Sequence, residues 1–129
     1  MQQLTPLETE VIAMLLAGSH GILRQLRVQL DGSQVGERLN TGHGFYRDFD
    51  VPEETALSKD VNFELGDVDA EIPGMTYGAG FLLFVRDGRI TCLEGFSYDE
   101  PWPSVETGYR LKYRESYRIL PFVQDDQTT

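Results

Sequence analysis

The sequence predicts an α+β domain in which two N-terminal helices pack on a mainly antiparallel sheet of about five strands. Three observations carry this reading. Apolar residues before position 32 recur at helical spacing behind a capped start, the period changes to alternation from Ser33 onward, and glycine-bearing turns separate the alternating runs. A single domain follows, with helices over about 5–31, sheet over about 33–103 and a C-terminal segment 104–129. No internal repeat and no long linker divides it.

The first helix has a clear start: Thr5 is a good N-cap, Pro6 suits the first helical position, and Glu8 stands where it completes a capping box. Gly18 supplies the stop, and Leu7, Val11, Met14 and Leu15 define a buried stripe. Ser19 is placed to cap a second helix over Gly21 to Leu30, ended by Asp31-Gly32. Ile22, Leu23, Leu26 and Leu30 form its apolar face, and Arg24, Gln25, Arg27 and Gln29 its polar face. The alternation of Leu26, Val28 and Leu30 ahead of Asp31-Gly32 also fits a strand and hairpin; the coherent polar face favours the helix.

Ser33 to Asn40 and Phe45 to Val51 flank Thr41-Gly42-His43-Gly44, a connection suited to a β-hairpin. In the second strand Phe45, Phe49 and Val51 share one parity while Tyr46, Asp48 and Asp50 share the other, so one side is core and the other wet and acidic. Asn62 to Ile72 changes parity at Gly66-Asp67, which implies a bulge or bend, with Asp67, Asp69 and Glu71 on the solvent side. Ala79 to Arg86 is apolar on both parities, as expected of a central strand covered on both faces. Asp87-Gly88 turns the chain into its partner, Arg89 to Tyr98. Tyr109, Leu111 and Tyr113 alternate with Arg110, Lys112 and Arg114, consistent with one more edge strand, and Gln124 to Thr129 reads as a frayed tail.

The 129 residues carry 11 Lys plus Arg against 21 Asp plus Glu, a formal charge of −10 with histidine neutral. With 40% hydrophobic and 11% aromatic residues the chain can bury a core, which excludes disorder and low complexity. The missing basic footprint argues against nucleic acid and anionic membranes as partners. Cys92 is the only cysteine, so an intramolecular disulfide and a Cys-rich zinc site are excluded. The N-terminus lacks the positive region of a secretory signal. The longest apolar runs, Val11 to Ala17 and Gly78 to Val85, fall short of the ~20 residues that span a bilayer. A cytoplasmic protein is expected, monomer or homodimer, without metal or cofactor.

Glu94 shares strand parity with Ile90, Cys92, Phe96 and Tyr98, and a carboxylate in a desolvated row could act as acid or base. The better-supported reading is an ordinary strand-end carboxylate that accepts hydrogen bonds from backbone or tyrosine, or finds an arginine. Tyr98-Asp99-Glu100-Pro101-Trp102-Pro103 packs aromatics, carboxylates and prolines into a stiff loop, suited either to binding or to plugging the end of the core. His43 with Asp48 and Asp50 is a weak metal pattern, since alternating aspartates are ordinarily a solvated strand face. Gly78-Ala79-Gly80 precedes a strand, whereas a dinucleotide fingerprint follows one. Between Thr41 and Met75 nine acids face two bases, while Arg110, Lys112, Arg114 and Arg118 make the C-terminal segment basic. If the second and third strands are neighbours, Asp48, Asp50, Asp67 and Asp69 form one acidic patch.

Three stretches resemble a family of small bacterial proteins of no assigned activity. They are Thr41-Gly42-His43-Gly44-Phe45 through Val51-Pro52, Leu65-Gly66-Asp67-Val68-Asp69-Ala70-Glu71-Ile72-Pro73-Gly74, and Gly78-Ala79-Gly80-Phe81 through Leu93-Glu94-Gly95-Phe96 to Tyr98-Asp99-Glu100-Pro101-Trp102-Pro103. The resemblance covers roughly residues 4–103 and implies a helical N-terminus followed by these strands. It implies no reaction.

The function expected is therefore a non-enzymatic binding or interaction module. It would use the acidic sheet face and Tyr98, Asp99, Glu100 and Trp102 toward a cationic protein partner; an immunity-type protein is one concrete form. The alternative is a small hydrolase or ligand-binding protein with Glu94 as acid or base, helped by Tyr98 and Asp99.

Overall fold

Thr5 caps the first helix, α1 (Pro6–Leu15), in the computed structural model, which describes residues 2–122. Its hydroxyl accepts from Glu8 N at 3.1 Å while the Glu8 carboxylate accepts from Thr5 N at 2.7 Å, so the expected capping box forms. The second helix, α2 (Gly21–Gly32), is a helix and not a strand. Its cap is His20 rather than Ser19: the extended backbone of His20 lets ring Nδ1 accept from Ile22 N at 3.1 Å.

Seven strands follow, against the five or so expected: β1 (Gln34–Asn40), β2 (Gly44–Asp50), β3 (Phe63–Leu65), β4 (Val68–Glu71), β5 (Ala79–Arg86), β6 (Arg89–Ser97) and β7 (Arg110–Tyr113). The surplus has two sources. Gly66-Asp67 breaks the predicted third strand in two, where its parity changes, and β7 pairs with β4. All pairings are antiparallel, in the order β1-β2-β6-β5-β4-β7, with β3 beside the other half of β5. The β5–β6 turn at Asp87-Gly88 takes positive φ at both residues, 52° and 76°, as a two-residue hairpin of right-handed twist requires.

Both helices lie on one face of this sheet. Leu7, Val11, Ile12 and Leu15 of α1 and Leu23 and Leu26 of α2 bury against Phe45, Phe81, Leu83, Val85 and Leu93. Each such side chain contributes about 1.5–3 kcal/mol. Gln29, expected on the polar face of α2, is instead fully buried. Its amide donates to Gly88 O at 2.8 Å and Thr55 O at 3.0 Å and accepts from Ile90 N at 3.0 Å, tying α2 to the β5–β6 turn.

The C-terminal segment wraps around the ends of these layers. Trp102 N donates to Gly42 O, and the indole stands edge-on to Phe45 and Phe81, at 5.5 and 6.4 Å between centroids. Tyr113 donates to Met14 O, and Arg118 donates to Leu15 O and Ala17 O, so the C-terminal segment supplies donors to carbonyls in and just after the last turn of α1. Residues 124–129, expected as a frayed tail, lie outside the described residues. Among the described residues no helix is long and apolar enough to cross a membrane.

Candidate functional site

The register of the strands decides what the second sheet face presents. Residues directly opposite one another across an antiparallel pair lie on the same face. Leu39 pairs with Tyr46, Tyr46 with Glu94 and Glu94 with Leu82, which makes one row across β1, β2, β6 and β5. Asp48, Cys92, Phe84 and Glu64 make the next. Gly44, Phe96, Gly80, Asp69 and Lys112 make the third. All three rows face away from the helices.

This overturns the expectation that β5 is covered on both sides. Phe81, Leu83 and Val85 are buried under the helices, whereas Leu82 and Phe84 are half-buried on the other face. Leu39 is 65% exposed there, Tyr46 39% and Tyr98 40%. Gly80 lets Phe96 and Tyr98 lie flat on the sheet, since a Cβ at that position would stand 2.6 Å from both rings' outer atoms. The two rings meet edge to face at 5.6 Å.

Glu94 belongs to this open face and not to the core row of Ile90. Val85 pairs with Ile90 while Phe84 pairs with Cys92, so β6 carries an extra residue at Thr91. That bulge turns Ile90 and Leu93 to the helices and Cys92, Glu94 and Phe96 outward. The hydroxyl bonded to Glu94 is that of Tyr46, whose pKa is raised by that hydrogen bond and by the carboxylate's charge. Tyr98 points instead to Asp69, at a long 3.5 Å. The Cys92 thiol is pushed up to about 12, by burial first and then by the Asp48 carboxylate, which makes it a poor nucleophile.

The acids expected as one patch are divided. Strands β2 and β4 are not neighbours; β6 and β5 stand between them. Asp67 is bound by Arg118 at 2.7 Å and Asp69 by Arg114 at 2.8 Å, and Glu64 pairs with Arg86 at 2.8 Å. Among the described residues no Lys or Arg pairs with Asp48, Asp50 or Glu94. On the β4 side the basic C-terminal segment thus pairs with Asp67 and Asp69 and sets Arg110 opposite Glu71, whereas no such segment returns to the β2 side.

Within the loop, Glu100 accepts from Thr76 N at 2.8 Å and Tyr77 N at 2.7 Å, a brace for the preceding turn. Asp99 takes a turn conformation at φ 61° and is exposed. Trp102 is partly buried and packs its indole against the core, the placement that its plugging reading expects. Tyr98 therefore remains as the large aromatic surface of this loop. The His43 carbonyl accepts from Ser97 N, and among the described residues no group of three or more His, Cys, Asp or Glu could hold a metal.

A cluster at the other end of the helix layer went unforeseen. Arg38 and Arg47 sit directly opposite each other on β1 and β2, and the Glu8 carboxylate, wholly inaccessible, accepts from both, at 3.3 and 3.1 Å. Arg38 also pairs with Glu106, which accepts from the Trp102 indole at 2.7 Å. Arg47 shares the parity of Phe45 and Phe49, so its burial was written in the alternation.

Comparison with protein families, curated proteins and solved structures finds no match to the chain.

Proposed function

We propose that the protein is a non-enzymatic binding module whose partner is a cationic protein. The observation that supports this best is the open sheet face, where Leu82, Phe84, Phe96, Tyr46 and Leu39 lie beside carboxylates that carry no ion pair among the described residues. Apolar side chains exposed together on one face are the usual mark of a surface that meets another molecule. Unpaired carboxylates among them favour a basic partner and raise its association rate. One concrete form is an immunity-type protein that neutralises a cationic toxin, which a total charge of −10 suits.

Pull-down of lysate at low and high salt tests the reading. A basic protein retained at low salt and released at high salt is the expected result; no partner at either salt would count against any interaction role.

A further inference from the structure

Resting on the binding reading above, we infer that the docking surface is the β1–β2–β6–β5 part of the open face, and that its occupant is a basic protein segment carrying apolar side chains beside its Arg or Lys, not a second copy of this chain. The rows give the surface its chemistry. Leu39, Tyr46 and Leu82 flank Glu94 in one, and Cys92 and then Phe84 follow Asp48 in the next. A partner must fill the apolar positions and bring cations to carboxylates that have no ion pair among the described residues. Arg114, Arg118 and Arg86 already occupy Asp69, Asp67 and Glu64, and Lys112 ends the third row. The partner's cations therefore belong at the β2 side, which fixes its orientation as well as its sign.

A second copy is disfavoured by the same charges. Stacking two such faces would bring Asp48, Asp50 and Glu94 against their own counterparts or against buried apolar rows, and like charges set face to face cost several kcal/mol. Cys92 does not enter as a reacting group. Desolvation and the Asp48 carboxylate hold its thiol protonated, so it acts as a small apolar member of its row.

The experiment uses the full chain and three synthetic decapeptides, alternating Arg-Leu, Arg-Ser and Glu-Leu, followed by amide shifts in NMR at low ionic strength. The Arg-Leu peptide should bind roughly tenfold tighter than either of the others and move the amides of Tyr46, Asp48, Cys92 and Glu94. Asp48→Lys and Leu39→Lys, both at exposed positions, should each weaken it by roughly tenfold. Glu54→Lys, exposed and off this face, alters the net charge as Asp48→Lys does and should leave binding unchanged. Equal weakening by Glu54→Lys and Asp48→Lys, or shifts centred on other strands, would overturn the assigned face while sparing the cationic-partner reading. Equal binding of Glu-Leu would overturn the partner's charge. No binding of either basic peptide would sink both readings. Sedimentation showing a dimer that Asp48→Lys tightens would replace the partner with a second copy.

Discussion

Glu8 does two jobs with one carboxylate. As a capping residue it holds the start of α1; as the anion between Arg38 and Arg47 it permits two arginines to face each other across a β-ladder, where like charges otherwise repel. The two roles separate by magnitude. Loss of the cap costs about 1 kcal/mol, whereas removing one partner of a buried charge network costs about 3–5 kcal/mol. Glu8→Gln, which keeps the side chain's length and its capping ability, should therefore cost several times more than Thr5→Ala in urea unfolding. Similar losses for the two would mean that the arginines are adequately solvated without Glu8. Cys92 offers a test with a pH axis. Its thiol rises from 9.0 to about 12 in the folded protein, so folding favours the protonated form. The resulting stability is fully present below pH 9 and is lost as pH climbs toward about 12. Cys92→Ala should flatten that alkaline decline, and iodoacetamide at pH 8 should label the native protein far more slowly than the denatured one. Asp48→Asn, which removes the second cause of the shift, should speed labelling of the native state.

The bulge in β6 explains most of what the alternation misled. A strand with one extra residue reads as a single parity in sequence but presents two, and nothing in Arg89-Ile90-Thr91-Cys92 marks where the extra residue sits. The break at Gly66-Asp67 was legible for the opposite reason: apolar residues change parity across it, and a glycine stands there. At Gly66 a Cβ would come within 2.6 Å of a Leu82 methyl, so Gly66→Ala should force Leu82 aside and destabilise the β3–β5 pairing. Gln29 was misread because periodicity assigns residues to a helical face by angle alone, whereas the β5–β6 turn brings a carbonyl and an amide that need a polar partner. Gln29→Leu leaves Ile90 N without that partner, while Gly88 O keeps its bond from Leu57 N, and should cost about 1–3 kcal/mol. Hydrogen exchange at Ile90 should accelerate; unchanged protection there would show that the bridge is dispensable.

At the scale of the molecule, fold class was the most legible property, because capping, helical spacing and turn residues all agreed over long windows. The two-layer arrangement was legible too, but not which side of the sheet it leaves open. Leu82 and Phe84 look the same in sequence whether they bury against a helix or await another surface. Charge behaved likewise. A total of −10 is plain in composition, yet which carboxylates stay uncompensated depended on where Arg114 and Arg118 return, long after Asp67 and Asp69 in the chain. Salt should consequently act unevenly: raising ionic strength relieves the crowding of unpaired acids around β2 more than it weakens the Arg118 anchor, which is largely shielded. Modest salt should raise the unfolding temperature of the wild type and raise that of Asp48→Lys less.

The indole of Trp102 sits where the C-terminal segment meets the sheet, and the chain has no other. That placement supplies the protein with its own optical gauge. Intrinsic emission registers the seating of residues 101–109 on Phe45 and Phe81, while far-ultraviolet dichroism registers α1 and α2. A denaturant titration followed in both channels distinguishes a clasp that lets go early from one that holds until the helices melt; coincident curves would make the wrapped segment part of a single cooperative unit.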